Sequence, residues 1–104
     1  MKIKIGCDIV EIKRLKEIDR KVLYKIFHKT ELKNKIETLA GFFAAKESCK
    51  KVFNDLDWHD IEIKRQRNGK PFLIINKKNI VDYDLSISHN GEYAMAVAIF
   101  LLKC

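Results

Sequence analysis

Apolar and polar residues follow two different rhythms along this chain, and the change of rhythm predicts its elements. Every second residue from Ile3 to Ile9 is apolar, which is the period of a half-buried strand. Residues 2–10 are therefore predicted to form a first strand that carries Asp8 near its end. From Ile9 to Ile18 the apolar residues recur at every third position, which indicates a short amphipathic helix. Helical spacing continues over residues 22–27.

A longer helical pattern runs from about Ile36 to Phe53. Thr30 is a predicted N-cap before Glu31, and the polar residues 33–35 predict a turn into the long helix. Asn54-Asp55 then breaks the helical pattern.

The remainder of the chain has the alternation of strands. Asn68-Gly69-Lys70-Pro71 is a strong turn signal, because Asn-Gly tolerates positive φ and Pro71 cannot donate to a strand ladder. A second turn is predicted at His89-Asn90-Gly91. The predicted strands are residues 61–67, 72–75, 83–88 and 93–102. One strand, then helices, then two hairpin-like pairs predict a single α+β domain over residues 1–104, with a mainly antiparallel sheet packed against one long helix.

The composition of the chain indicates how many domains it forms, what kind of partner it binds and where it is located. A chain of 104 residues fits one core, and oligomerisation would let it bury more surface. Its net charge of +7, from 21 Lys plus Arg against 14 Asp plus Glu, favours an acidic or phosphorylated partner. Cys7, Cys49 and Cys104 have no disulfide or zinc spacing. With no signal peptide and no membrane-spanning stretch, we expect a soluble cytoplasmic protein without a membrane partner.

Glu47 stands in a stripe of the long helix that otherwise consists of Ala40, Phe43, Ala44 and Lys51. A half-buried carboxylate needs a partner or a chemical task. The simplest partner is Lys51, since an ion pair at this i, i+4 spacing is worth about 0.3–0.5 kcal/mol.

Asp8 has an equally simple interpretation as a helix cap at the end of the first strand. The two acids together suggest more, because the strand and the long helix could bring Asp8 and Glu47 to one place. Two carboxylates with open positions suit Mg²⁺, which keeps several waters and takes phosphate oxygens as further ligands. Lys46, Lys50 and Lys51 would supply cations nearby.

Other polar residues are less specific. Ser88-His89 predicts either a hydrogen-bond network at a turn or a role in binding phosphate and moving a proton. His28 and His59 are isolated among polar residues and are predicted to lie on the surface. The cysteines have no histidine partner that would indicate nucleophiles. The basic residues of strand 61–67 favour a solvated face over a nucleic-acid edge.

The order of these motifs resembles the holo-acyl-carrier-protein synthase group of 4′-phosphopantetheinyl transferases. The similarity spans essentially the whole chain. It rests on four motifs in order, namely Gly6-Cys7-Asp8-Ile9 followed by Arg14, Phe43-Ala44-Ala45-Lys46-Glu47 followed by Lys51, Asn68-Gly69-Lys70-Pro71, and Ser86-Ile87-Ser88-His89.

The resemblance implies a Mg²⁺-dependent transferase of fatty acid and lipid metabolism. Such an enzyme moves phosphopantetheine from coenzyme A to a serine of apo acyl carrier protein and leaves adenosine 3′,5′-bisphosphate. Asp8 and Glu47 would hold Mg²⁺, Glu47 and Lys51 would be catalytic, and Arg14 would dock the carrier protein. The implied coenzyme A contacts are Lys46, Gly69, Pro71, Ser88 and His89. The resemblance also implies homotrimers with active sites between subunits.

Some features differ from the family pattern or stay open. Phe42 stands where relatives usually carry an arginine, and Asn54-Asp55-Leu56 replaces their glycine-rich turn. The serine proton could go to Glu47, to a metal-bound water or to Lys51. The alternatives to the enzyme are a small basic RNA-binding α+β module and a catalytically inactive homologue with the same fold.

Overall fold

Three long strands form an antiparallel sheet that carries the longest helix on one face, in a computed structural model that describes residues 1–104. A separate two-stranded hairpin stands beside them. In chain order the elements are β1 (Lys2–Glu11), α1 (Ile12–Glu17), α2 (Arg20–Ile26), α3 (Ile36–Val52), a 3₁₀ turn (Trp58–Asp60), β2 (Ile61–Arg65), β3 (Pro71–Ile75), β4 (Ile80–Asn90) and β5 (Tyr93–Leu102).

The sheet has the strand order β1-β5-β4, and both pairings are antiparallel. Its inner face is built from small side chains at the centre, since Ala94, Ala96 and Ala98 of β5 are fully buried. Small residues on the central strand let α3 lie close to the sheet. At the end of the sheet Phe100 fills the space instead and meets Phe53 edge-on, with 4.9 Å between ring centroids. The apolar residues buried here form one core.

Gly6 marks the closest approach of β1 to α3. A side chain at this position would overlap the backbone carbonyl of Ser48, so only glycine lets strand and helix touch. At the other end of the contact, a Cβ on Gly41 would lie 2.7 Å from the Ile87 side chain of β4. The helix therefore crosses the sheet obliquely, from β4 near Gly41 to β1 near Ser48.

The β2–β3 hairpin covers the opposite side of α3 through side chains. The ring of Phe43 stacks on Trp58 at 5.4 Å between centroids, and the guanidinium of Arg65 lies 5.7 Å from the centre of the Phe42 ring. Burial on both sides explains why most residues of α3 from Leu39 to Cys49 are buried.

The predicted α+β architecture is confirmed, and several boundaries differ. Thr30 does not cap the long helix, because α3 begins after Lys35 and Thr30 donates its hydroxyl hydrogen to Glu62 instead. The predicted turn at residues 89–91 is wrong. Backbone pairing continues through His89 and Asn90, since the tight turn needs only Gly91, with φ of +61°, and Glu92.

Candidate active site

Glu47 lies on the one open seam of α3, which consists of Phe43, Glu47, Lys50 and Lys51. The neighbours of Glu47 in sequence, Lys46 and Ser48, are both fully buried, whereas Glu47 is half-buried. Successive helical residues differ by about 100° in direction, so Lys46 faces the hairpin side and Ser48 faces the sheet. The Glu47 side chain emerges between them.

Ser48 fixes the sheet side of this arrangement. Its hydroxyl Oγ lies 2.7 Å from the carbonyl oxygen of Ala44, one turn earlier, and 3.1 Å from that of Ala96 on β5. The helix backbone at Ser48 rests on Gly6 of β1. Because Asp8 follows Gly6 by two residues, its side chain lies on the same face of the sheet.

Lys51 joins the helix to Asp8. Its Nζ donates to the carbonyl oxygen of Cys7 at 2.8 Å and lies 3.2 Å from Asp8 Oδ1. The side chain of Lys51 is 54% exposed and that of Asp8 is 20% exposed. Glu47 precedes Lys51 by one helical turn on the same seam. The structure thus joins Lys51 to Asp8, with Glu47 one helical turn away on the same seam.

The two simple alternatives for these acids are not what the structure shows. Lys51 pairs with Asp8, and Glu47 takes part in none of the four ion pairs of the chain. Nor does Asp8 cap a helix, because the N-cap position of α1 is Glu11, which makes no side-chain capping bond.

The same two carboxylates fit a small hard cation. Glu47 makes no ion pair, and Asp8 reaches Lys51 through only one of its oxygens, Oδ1. No group of three or more His, Cys, Asp or Glu side chains is arranged to hold a metal ion, so a cage made entirely of protein ligands is absent. Mg²⁺ commonly binds through one or two carboxylates and completes its octahedron with water and phosphate oxygens.

Lys46 does not occupy the position predicted for it. Its side chain is completely buried, and Nζ donates to Glu31 Oε1 at 2.8 Å and to the carbonyl oxygens of Ile26 and Ile61 at 2.9 and 2.8 Å. Three short contacts use all three ammonium hydrogens. In this arrangement the Lys46 ammonium is therefore engaged inside the protein, away from solvent. Burial lowers the pKa of Lys46, and the neighbouring Glu31 carboxylate acts in the opposite direction.

The remaining predicted site residues lie elsewhere within one chain. His89 is on the helix-facing side of β4, whereas Ser88 points to the opposite face. The helix meets β4 at Gly41, six residues before Glu47, which is roughly 9 Å along the axis. Gly69, with φ of +88°, lies in the β2–β3 turn, and Pro71 begins β3. Arg14 is exposed on α1.

Sequence reasoning missed two arrangements. Glu31 is 1% exposed and pairs with Lys46, but no local pattern links residues that are 15 positions apart. The histidines predicted to be isolated at the surface in fact stack, with 4.8 Å between the ring centroids of His28 and His59.

Cys49 fits the prediction that it is not a nucleophile, because burial raises the pKa of its thiol to about 12.

No helix in the structure has both the length and the apolar character needed to cross a bilayer.

The protein is thus a small α+β domain with an aspartate–lysine ion pair at a strand–helix contact and a glutamate one helical turn away. Comparison with known proteins identifies the family. Residues 4–98 match the model of the 4′-phosphopantetheinyl transferase superfamily, and the chain belongs to that superfamily. The family and the transferase class predicted from the sequence motifs are thereby confirmed.

Known relatives match this chain over nearly its full length. The chain is 40% identical to the holo-[acyl-carrier-protein] synthase of Caldanaerobacter subterraneus subsp. tengcongensis, with 95% of this chain and 94% of the relative covered. It is 37% identical to the enzyme of the same name from Bacillus subtilis, with 91% and 92% covered.

A solved structure of Helicobacter pylori holo-[acyl-carrier-protein] synthase in complex with coenzyme A superposes with a TM-score of 0.86. The two sequences are 31% identical, and the superposition covers 94% of this chain and 100% of the other. A Bacillus anthracis synthase in complex with coenzyme A (3′,5′-ADP) gives a TM-score of 0.81 at 33% identity, with 92% and 93% covered. The predicted fold family is therefore confirmed as well.

Proposed function

We propose that this chain transfers the 4′-phosphopantetheine group from coenzyme A to a serine of apo acyl carrier protein and releases adenosine 3′,5′-bisphosphate. The superfamily match and the names of the relatives support this reaction. The observation that carries the proposal is the strand–helix contact at which Lys51 bonds Asp8 beside the carboxylate of Glu47. In the cell, the reaction belongs to fatty acid biosynthesis in the cytoplasm.

In this proposal Asp8 and Glu47 hold Mg²⁺. Asp8 and Glu47 would hold this cation beside the pyrophosphate of coenzyme A, where it would supply charge neutralisation for phosphoryl transfer. Phosphoryl transfer depends mainly on positioning and on preorganised charge. The protein supplies both, because Gly6 and Ser48 fix the separation of β1 and α3, and the two acids project from these elements.

Lys51 and Glu47 then have different catalytic tasks. The Lys51 ammonium is held in place by Asp8 and by the Cys7 carbonyl and stays mostly exposed. In this position Lys51 would contact phosphate oxygens. Glu47 has no ion-pair partner in the chain, so one of its carboxylate oxygens would hold the cation and the other would accept the serine proton.

Arg14 serves as a docking residue for the carrier protein. It is exposed on α1 between Lys13 and Lys16, which are also exposed. An acidic partner would be attracted to this helix and to the net charge of +7.

The working form in this proposal is a homotrimer. The outer face of the sheet exposes large apolar side chains, with Ile3 at 69%, Ile5 at 65% and Ile9 at 63% exposure, and Met95 and Ile99 beside them. Contiguous apolar surface of this kind usually marks an interface. Three copies associated through this face would give the trimer that the family resemblance implies.

A shared site would also account for the coenzyme A residues that lie apart from Asp8 within one chain. Ser88 and His89 line a shallow cavity of about 170 Å³ together with Ile9 and Met95 of the apolar face. The proposal assigns Ser88, His89, Gly69 and Pro71 to the nucleotide end of a coenzyme A pocket that is completed between subunits.

The test is to incubate the purified chain with coenzyme A, Mg²⁺ and several apo carrier proteins and to examine the carriers by mass spectrometry. We expect a phosphopantetheine adduct on the carrier serine with the native chain. Glu47→Gln should lower the rate by about 10²–10³-fold, the loss typical of a removed electrostatic contact in a transition state, and should keep the native circular dichroism spectrum. Absence of an adduct with every carrier, from a folded protein, would reject the transferase. Salt-sensitive RNA binding that is indifferent to Glu47 would favour the RNA-binding module.

A further inference from the structure

Glu31 and Lys46 form an ion pair enclosed by the protein. The side chains of both residues are 0% exposed. Buried ionised groups of this kind are rare and need full compensation by partners.

The compensation comes from four separate segments. Besides Lys46, the Glu31 carboxylate accepts hydrogen bonds from the backbone N–H of His28 at 2.7 Å and of Ile63 at 2.9 Å. Lys46 in turn donates to the last residue of α2, Ile26, and to the first residue of β2, Ile61. The pair therefore ties α2, the segment after it, β2 and α3 to one point.

That point is adjacent to Glu47 in sequence, and it controls one side of the helix. Lys46 holds α3 against the hairpin, while Ser48 holds it against β5 and Gly6. Because the two anchors lie about 100° to either side of Glu47, they prevent α3 from rotating about its axis at this turn. A small rotation would carry Glu47 and Lys51, which both lie on α3, away from Asp8 on β1.

Thermodynamic stability alone does not explain such a pair. Replacing both members of a buried ion pair by uncharged residues of similar size is often neutral or stabilising, whereas removing one member is strongly destabilising. The pair has instead the geometry of a device that fixes one orientation, since every acceptor around Lys46 comes from a different segment.

We infer that Glu31 and Lys46 are positioning residues, which set the rotation of α3 so that Glu47 and Lys51 face Asp8 in the cation site. The inference rests on the proposed function for the identity of that site. Neither residue touches substrate in this role. Both act through the position of Glu47.

The decisive experiment uses the double variant Glu31→Gln with Lys46→Met, which removes both buried charges and nearly preserves volume. Its matched control is the double variant Asp55→Asn with Lys77→Met, which removes an ion pair of 2.7 Å in which Asp55 is 62% exposed. Each protein is examined by thermal unfolding, by titration with Mn²⁺ as a paramagnetic substitute for Mg²⁺ in the presence of coenzyme A, and by the kcat and KM of transfer.

We expect the Glu31/Lys46 double variant to unfold at a temperature close to that of the native chain. Its Mn²⁺ affinity should nevertheless fall by about 10-fold to 100-fold, which is the usual cost of losing groups that orient a metal ligand. The kcat should fall with it, and the KM for carrier protein should change little because Arg14 is untouched. The control should match the native chain in all three measurements.

Native Mn²⁺ affinity in a stably folded double variant would overturn the inference. If that double variant folds poorly, a second one, Glu31→Gln with Lys46→Gln, which leaves no unpaired charge and keeps polar groups at both positions, is titrated with Mn²⁺ well below its unfolding temperature, and unchanged affinity there has the same meaning. A native chain that binds Mn²⁺ but does not modify any carrier protein would reject the proposed reaction and leave the positioning role to be decided by the Mn²⁺ titrations alone. A native chain that binds no Mn²⁺ would overturn both.

Discussion

Two lysines five residues apart on α3 have opposite surroundings. Lys46 is fully enclosed and bonds Glu31 and three carbonyl groups, whereas Lys51 is 54% exposed and bonds Asp8 and one carbonyl group. Both lysines form an ion pair with a carboxylate from another segment of the chain. The difference is that the enclosed pair has no room for a ligand, while the exposed pair opens toward solvent next to Glu47. A motif that contains both lysines therefore combines a structural anchor with a chemical group.

The largest difference between the two pairs should appear in stability. Lys46→Met leaves the Glu31 carboxylate buried without its countercharge, so we expect a loss of about 3–5 kcal/mol in the free energy of unfolding. Lys51→Met removes a mostly exposed pair and should cost no more than about 1 kcal/mol. Urea unfolding followed by circular dichroism measures both values. Equal losses would show that burial does not distinguish these pairs.

For transfer activity we expect the opposite order in folded protein, with Lys51→Met losing more activity than Lys46→Met. Lys51→Met removes the ammonium assigned to phosphate contact, and we expect kcat to fall by about 10²–10³-fold, as for other preorganised charges. Stability should stay within the small range given above. Lys51→Arg keeps the positive charge and is the matched control, which should retain more activity than the methionine variant. A Lys51→Met protein with native kcat would mean that Lys51 only links β1 to α3.

The sequence revealed the exposed pair more readily than the buried one, for a physical reason. Asp8 and Lys51 belong to short motifs at the ends of predicted elements, and the period of each element gives the face on which they lie. Glu31 lies in a segment of irregular turns, where no period assigns a face. Its partner lies 15 residues away, and only the packing of α2, β2 and α3 brings the two together. The burial of Lys46 could not be predicted for the same reason, since a lysine next to a glutamate in a helix carries no sign of burial.

The fold, like the two ion pairs, could be predicted from the sequence only in part. The strands and the long helix are predicted by their periods, and the order of the elements is sufficient for an α+β assignment. Turn residues were less informative, because the Asn90-Gly91 signal could place the turn at either of two registers. Backbone pairing between His89 and Ala94 decides between them, and that pairing depends on the whole length of β4 and β5.

Cys49 offers the smallest and most local test, because it lies on the enclosed side of the same helix. Burial raises the pKa of its thiol to about 12 from an ordinary 9.0, and the ammonium of Lys46 lowers it by a smaller amount. At pH 8 the exposed Cys104 should react with iodoacetamide, while Cys49 should react only when the protein opens. Peptide mass spectrometry over time distinguishes the two sites.

The pH dependence of stability follows from the same shift, with a definite sign. A thiol whose pKa is raised on folding binds more protons in the folded state, so its contribution is fully present below pH 9.0 and is lost as the pH rises toward about 12. The contribution of Lys46 has the opposite sign, because burial lowers its pKa. Just below its ordinary pKa of 10.5 the unfolded state binds more protons than the folded state, so this contribution to stability rises with pH. Cys49→Ala should therefore reduce the loss of stability at alkaline pH.

In Lys46→Met the labelling of Cys49 should become faster, whereas Lys51→Met should leave it unchanged. Faster labelling in the Lys51 variant would show that the exposed pair also holds α3 in place, and the distinction between anchor and chemical group would not stand.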